Sequence, residues 1–307
     1  KCAENGFIMT SGTAVLNGAD ISDSGMEGIK VSGGELTVNG YADGKKSQIA
    51  TSKNVNVRSM GTGVVRLNDV NILAPADQTK NNVLAKEGGK VYVTDSTVTG
   101  GNYSVLTEVN GYAELKNVAI HDPVTDGIRV NAADGKVVVN NVQIASPVRY
   151  GISAEKGTVA LEGKLTITGK DLKASAIYAY NGGQVTSAKT AAVEISNTER
   201  GICVESNGKV ALGNITIGKC AQNGIRMTGG TAVLNGISIS DGDANNILVS
   251  GGELTVNAYA DGKKSQIGTA VKDNIVANDG GIIRLNQVNV LESAANNIVA
   301  TGGKVYI

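Results

Sequence analysis

The stretch Gly224-Ile-Arg-Met-Thr-Gly-Gly-Thr-Ala-Val-Leu-Asn-Gly-Ile-Ser-Ile-Ser240 decides the fold. It holds three short runs in which apolar residues fall on every second position: Ile225/Met227, Ala232/Leu234 and Ile237/Ile239. A period of two belongs to strands, and no helical 3.6-residue period competes with it. Gly229-Gly230 separates the first two runs and Asn235-Gly236 the last two. These residue types accept the positive φ that tight corners demand. The stretch therefore reads as three strands and two corners.

Working outward, the whole chain is variants of this module. Modules open at Gly6, Gly28, Asn54, Asn82, Ser104, Gly127, Gly151, Ala176, Gly201, Gly224, Asn246, Asn274 and Asn297, at intervals of 22 to 28 residues. Gly pairs recur after the opening run, as at Gly33-Gly34, Gly88-Gly89 and Gly182-Gly183. An Asn recurs near the end of the second run: Asn17, Asn39, Asn68, Asn140, Asn235, Asn257 and Asn286. A lone module has no way to bury its apolar faces and must stack on its neighbours. The period and strand content predict an all-β, right-handed parallel β-helix of about 13 rungs with three short strands per rung. The recurring Asn residues are expected to stack as a ladder at one corner, in left-handed geometry.

A longer period lies over the short one. Residues 1–93 and 219–307 are duplicates within what reads as one rod over 1–307: Gly34-Glu-Leu-Thr-Val-Asn39 recurs as Gly252-Glu-Leu-Thr-Val-Asn257, an offset of 218. Extra residues around Pro75–Lys80 distinguish the first copy.

Composition limits the function. The 307 residues include 41 Gly, one Phe and no Trp, which suits a narrow aliphatic core better than an aromatic one. Twenty-eight basic residues balance 28 acidic ones, and with no long basic run a nucleic-acid partner is not expected. No stretch of about 18 apolar residues encodes a membrane span, and no signal-peptide pattern opens the chain. It reads as a processed or truncated piece of a longer protein.

Glycine-rich rungs of this form, poor in cysteine and lacking Trp, resemble the pertactin-like passenger region of Gram-negative autotransporters over nearly the whole chain. The near-identical long blocks are similar to passengers of endothelium-infecting bacteria, some of which are pro-angiogenic host-cell agonists. The resemblance implies a secreted or bacterial cell-surface location. It implies a virulence factor that engages a host receptor, extracellular matrix or glycan, acting as a monomer.

Catalytic constellations are sparse. The only histidine, His121, reads as a turn residue. Ser22-Asp-Ser-Gly25 has the look of a nucleophile loop, but its duplicate, Ser240-Asp-Gly-Asp243, lacks a serine at the matching position. Asp241-Gly-Asp-Ala-Asn245 has acidic spacing without the later residues that complete a calcium loop. Polysaccharide lyases on this fold carry carboxylates on an outward strand face. The outward positions of the first strand read as Lys30, Asn56, Leu84, Leu106, Arg129, Ser153, Tyr178, Cys203, Arg226, Leu248, Val276 and Val299, with no carboxylate. The expectation is a non-enzymatic protein without cofactor or metal. The alternative is a β-helix carbohydrate-active enzyme, lyase or hydrolase, with its groove on another face.

Cys203 and Cys220 are either free or joined in a disulfide across one corner, Cys203 being read as outward-pointing. The positive feature is a surface loop present twice, with Tyr41, Asp43, Lys45 and Lys46 in one copy and Tyr259, Asp261, Lys263 and Lys264 in the other. Loops on a rigid scaffold are where binding residues collect, so these eight are the candidate partner-binding residues.

Overall fold

The computed structural model describes residues 2–307. The chain is an all-β parallel solenoid of about 13 turns, with no helix among the described residues. One strand per turn enters a 13-stranded sheet, and the remaining strands form a second sheet. The chain divides into two compact units: residues up to Val148 with Gly157–Val159, and Arg149–Lys156 with Ala160–Ile307.

In the first unit the strands stack in register, so that Ile29, Val57, Val83, Val105 and Ile128 form one inward column, each with 0% exposure. Leu36, Val65, Val91, Ala113 and Val137 form a second, and Ile49, Ile72, Val98, Ile120 and Ile144 a third. The second unit repeats the plan with Ile152, Ile177, Ile202, Ile225, Ile247 and Ile275. β-Branched side chains fit these columns because each contacts its like one strand spacing away, and each burial is worth about 1.5–3 kcal/mol.

The corners explain the glycines. At Gly88-Gly89, Gly88 takes φ +93, and a Cβ on Gly89 would collide with the Ser59 backbone of the turn beneath. One glycine supplies the conformation and the other permits the close approach. Where the second corner is only two residues long, the strand bends without breaking. Tyr112–His121, Lys136–Ala145, Lys209–Cys220 and Thr231–Gly242 therefore span what the sequence presents as two strands.

Four expectations need correction. The third module opens at Asn56, not Asn54: Val57 pairs with Ile29, and Arg58, not Asn56, occupies the outward column opposite Lys30. Asn56 is instead fully buried and donates to Asn82 Oδ1 at 2.7 Å. With that register both loop-bearing turns have one length, since 56 − 28 = 28 and 274 − 246 = 28. The Asn ladder forms at Asn17–Asn39–Asn68 and Asn235–Asn257–Asn286, with amide contacts of 2.8–2.9 Å. Asn140 lies outside it, opposite Lys116. The left-handed residue is the one after the ladder position, such as Gly18 (φ 65) or Asp69 (φ 54), because that residue turns the corner while the Asn still belongs to the strand.

The outward face of the 13-stranded sheet is also largely covered. Leu84 (5%), Leu106 (3%), Ser153 (0%) and Cys203 (2%) are buried there. Val55 and Tyr103 pack over the two leucines. In the second unit the Tyr150 ring stacks on Tyr178 at 4.5 Å and Tyr178 meets Tyr180 at 4.6 Å, in a column that includes Ser153 and Cys203. Large side chains lying flat along the column shield the small ones between them.

Candidate functional site

The duplicated loop leaves the solenoid between Glu35–Asn39 and Ser47–Ile49, and again between Glu253–Asn257 and Ser265–Ile267. Its base is pinned by a buried serine. Ser47 Oγ accepts from Ala19 N–H (2.8 Å) and donates to the Asn39 carbonyl (2.6 Å); Ser265 does the same with Ile237 (2.9 Å) and Asn257 (2.7 Å). A side-chain hydroxyl thus closes backbone groups that the excursion separates.

The two copies fold alike. Tyr41 N–H donates to the Lys45 carbonyl (2.7 Å), Gly44 N–H to the Tyr41 carbonyl (3.0 Å), and Lys45 N–H to the Asp43 carboxylate (3.1 Å). The counterparts are Tyr259 to Lys263 (2.8 Å), Gly262 to Tyr259 (2.9 Å) and Lys263 to Asp261 (3.0 Å). The Asp role is an Asx turn, and Gly44 (φ 86) and Gly262 (φ 85) supply the left-handed residue. Each tyrosine lies against a corner glycine, Tyr41 on Gly18 and Tyr259 on Gly236, where any Cβ would meet the ring. Burial, with Asp20 as hydrogen-bond partner, pushes the Tyr41 phenol up; burial and then Asp261 do so for Tyr259. Both phenols therefore stay protonated and can donate.

The lysines differ between copies. Lys45 pairs with Asp43 at 3.3 Å in full solvent, a contact of little energetic weight, while Lys46 donates to the Asp95 carbonyl at 2.7 Å. Lys263 sits 5.6 Å above the Tyr259 ring, and Lys264 is exposed. Each loop thus offers one tyrosine, one aspartate held by the turn, and two ammonium groups.

The sequence reading missed a second duplicated feature. Arg66 pairs with Glu35 at 2.5 Å and lies 4.3 Å over the Tyr92 ring, while Arg284 pairs with Glu253 at 2.5 Å and lies 4.7 Å over Tyr306. These side chains alternate with inward Leu36, Val65 and Val91, so they stand on the outer face beside the loop. The signal was present in the period-two pattern of both copies. Glu27, 1% exposed, likewise pairs with Arg58 at 2.9 Å, a contact that the corrected register of Arg58 makes possible.

Ser24 is buried at a corner, His121 ends the strand Tyr112–His121, and Asp241 is a corner residue at φ 58. Among the described residues no three His, Cys, Asp or Glu side chains converge as a metal site. No helix among the described residues is long and apolar enough to cross a membrane.

Cys203 and Cys220 are both free and buried, and Cys2 is free and exposed. No disulfide joins Cys203 to Cys220, and Cys203 is not solvent-facing as its strand position suggested. It stacks between Tyr178 and Arg226 in register, whereas Cys220 lies beside the Thr198 hydroxyl at 3.5 Å on the other sheet. Burial pushes the Cys203 thiol up to about 12 and the Cys220 thiol up to about 11. An ordinary unfolded thiol ionises near ~8.5. The folded state therefore gains from these thiols fully below that pH and loses the gain as pH rises through 11 and 12. Titration with a thiol-specific disulfide reagent at about pH 8 should label one cysteine in the native protein and three in denaturant. Rapid native labelling of Cys203 would contradict its burial.

No family model, no curated protein and no solved structure matches the chain.

Proposed function

We propose that this chain is an autotransporter-type passenger, secreted or held at the bacterial surface. It engages the host cell surface without catalysis, as an adhesin or as an agonist of a growth-factor receptor. The observation that carries this reading is the loop Tyr41–Lys46 and its copy Tyr259–Lys264, one in each unit, built by the same hydrogen bonds on the same glycine seat. A loop fixed this way loses little conformational entropy on binding, and tyrosine is among the side chains that carry binding energy at interfaces. The outward carboxylates nearby, Glu35 and Glu253, are paired with arginines, an arrangement better suited to contact than to proton abstraction.

Exchanging Lys45, Lys46, Lys263 and Lys264 for Ser should lower binding of the purified chain to endothelial cells by about tenfold or more, with receptor phosphorylation falling in parallel. The thermal midpoint should hardly move, since these side chains make only surface contacts. Unchanged cell binding and signalling would remove the proposal.

A further inference from the structure

The corners along one edge of the second unit differ in size. Residues 188–191 separate Gln184–Ser187 from Ala192–Thr198, and residues 258–264 separate Glu253–Asn257 from Ser265–Ile267. Between these two wide excursions lie two narrow corners, Gly213-Asn214 and Asn235-Gly236, turned inside continuous strands. Two high corners flanking two low ones leave a cleft of about 320 Å³, lined among others by Lys189, Gly213, Asn214, Asn235, Ala258 and Ala260. That is the small end of the range for ligand pockets, roughly 300–1,000 Å³, and suits one or two sugar rings.

Two of its lining residues, Asn235 and Lys189, present donors. In the Asn ladder, Asn286 donates to Asn257 and Asn257 to Asn235, both at 2.8 Å. The next position in register is Gly213, which has no side chain, so the ladder ends there and the Asn235 amide N–H groups face the cleft with no protein acceptor among the described residues. Lys189 brings an ammonium group that forms no ion pair among the described residues, on a corner held by Asn214 Nδ2 through the Lys189 (3.1 Å) and Ala191 (3.0 Å) carbonyls. The lining contains no carboxylate. Alanine and glycine elsewhere in the lining let a sugar ring approach the backbone.

We infer that this cleft binds the acidic group of an anionic glycan, a sulfate or carboxylate on a sugar ring, between Lys189 and Asn235. The inference takes from the proposed function only its extracellular setting. Its test involves no cells, so the two can fail separately.

Calorimetry on the full chain at low ionic strength, with a sulfated heparin-derived hexasaccharide and separately with a sialylated trisaccharide, distinguishes the two sources of negative charge. At least one should bind at one site per chain. Lys189→Ala should weaken that binding about tenfold or more, as loss of a charged hydrogen bond does. Gly213→Asn is the sharper variant, because it gives Asn235 its missing partner and fills the floor. A Cβ at Gly213 comes no closer than 3.5 Å to the Asn235 carbonyl oxygen, so this variant should fold with an equal or higher thermal midpoint and still lose the glycan. Lys170→Ser with Lys173→Ser, two exposed lysines outside the cleft, should bind like the parent. The proposal is overturned if neither glycan binds, or if both cleft variants bind like the parent. Equal weakening by the Lys170/Lys173 change would also overturn it, as would equal binding of a poly-glutamate peptide in the same cleft.

Discussion

Leu115→Ala is expected to destabilise the protein by about 3–5 kcal/mol, with a clearly lowered denaturant midpoint. Leu115 lies on Tyr112–His121 with 0% exposure, in register between Val93 of the turn before and Val139 of the turn after. The missing atoms leave a cavity that neighbouring columns cannot close, because each is tied to its own ladder of strand hydrogen bonds. In a solenoid the interfaces with both adjacent turns weaken together. Val15→Ala is the control: Val15 is 56% exposed, and its truncation should change stability by less than about 0.5 kcal/mol. A Leu115→Ala midpoint equal to that of Val15→Ala would show that this column is not the core.

Asn56→Ala should cost about 2–5 kcal/mol, although it removes only a small polar side chain. Asn56 is fully buried; its Nδ2 donates to the Leu73 carbonyl (2.6 Å) and to Asn82 Oδ1 (2.7 Å), and its Oδ1 accepts from Ser52 N–H (3.1 Å). Truncation orphans groups that were taken out of water on the understanding of a partner, at about 1–3 kcal/mol each. The ladder Asn17, by contrast, is solvent-exposed and water can replace its contact with Asn39, so Asn17→Ala should cost less than about 1 kcal/mol. Comparing the two midpoints by urea unfolding separates buried from exposed stacking. Equal costs would refute that distinction.

The pair Asn56 and Asn54 also shows where reading the chain fails. Asn54-Val-Asn-Val57 satisfies a period of two in either register, so either Asn can open the module. Only contact with the neighbouring turn breaks the tie, because Asn56 finds Asn82 there while Asn54 faces Glu27 at 3.1 Å. The strand position of Cys203 likewise fixes which side of the sheet it occupies, but not what lies over it. Tyr178 is its register neighbour, contributed by the preceding turn 25 residues earlier (203 − 178 = 25).

The duplicated loop was legible because it rests on local chemistry. Its aspartate and glycine specify the turn within a few residues, and the repeat displays it twice. The Glu35–Arg66–Tyr92 stack and its copy were less so, since their members are spaced 31 and 26 residues apart (66 − 35 = 31; 92 − 66 = 26) and meet only through stacking. The cleft at Lys189 and Asn235 was not legible, because it is a difference in height between corners on successive turns.

The sequence by itself determined the all-β stacked architecture, the aliphatic columns, the glycine corners and the placement of the paired loops. All of these follow from periodicity and from backbone conformations that few residues accept. Only the tertiary structure decided the register at Asn56, the burial of the outward column, the free thiols and the end of the Asn ladder at Gly213. Those features depend on which side chain one turn presents to the next, and that contact has no local signature in the chain.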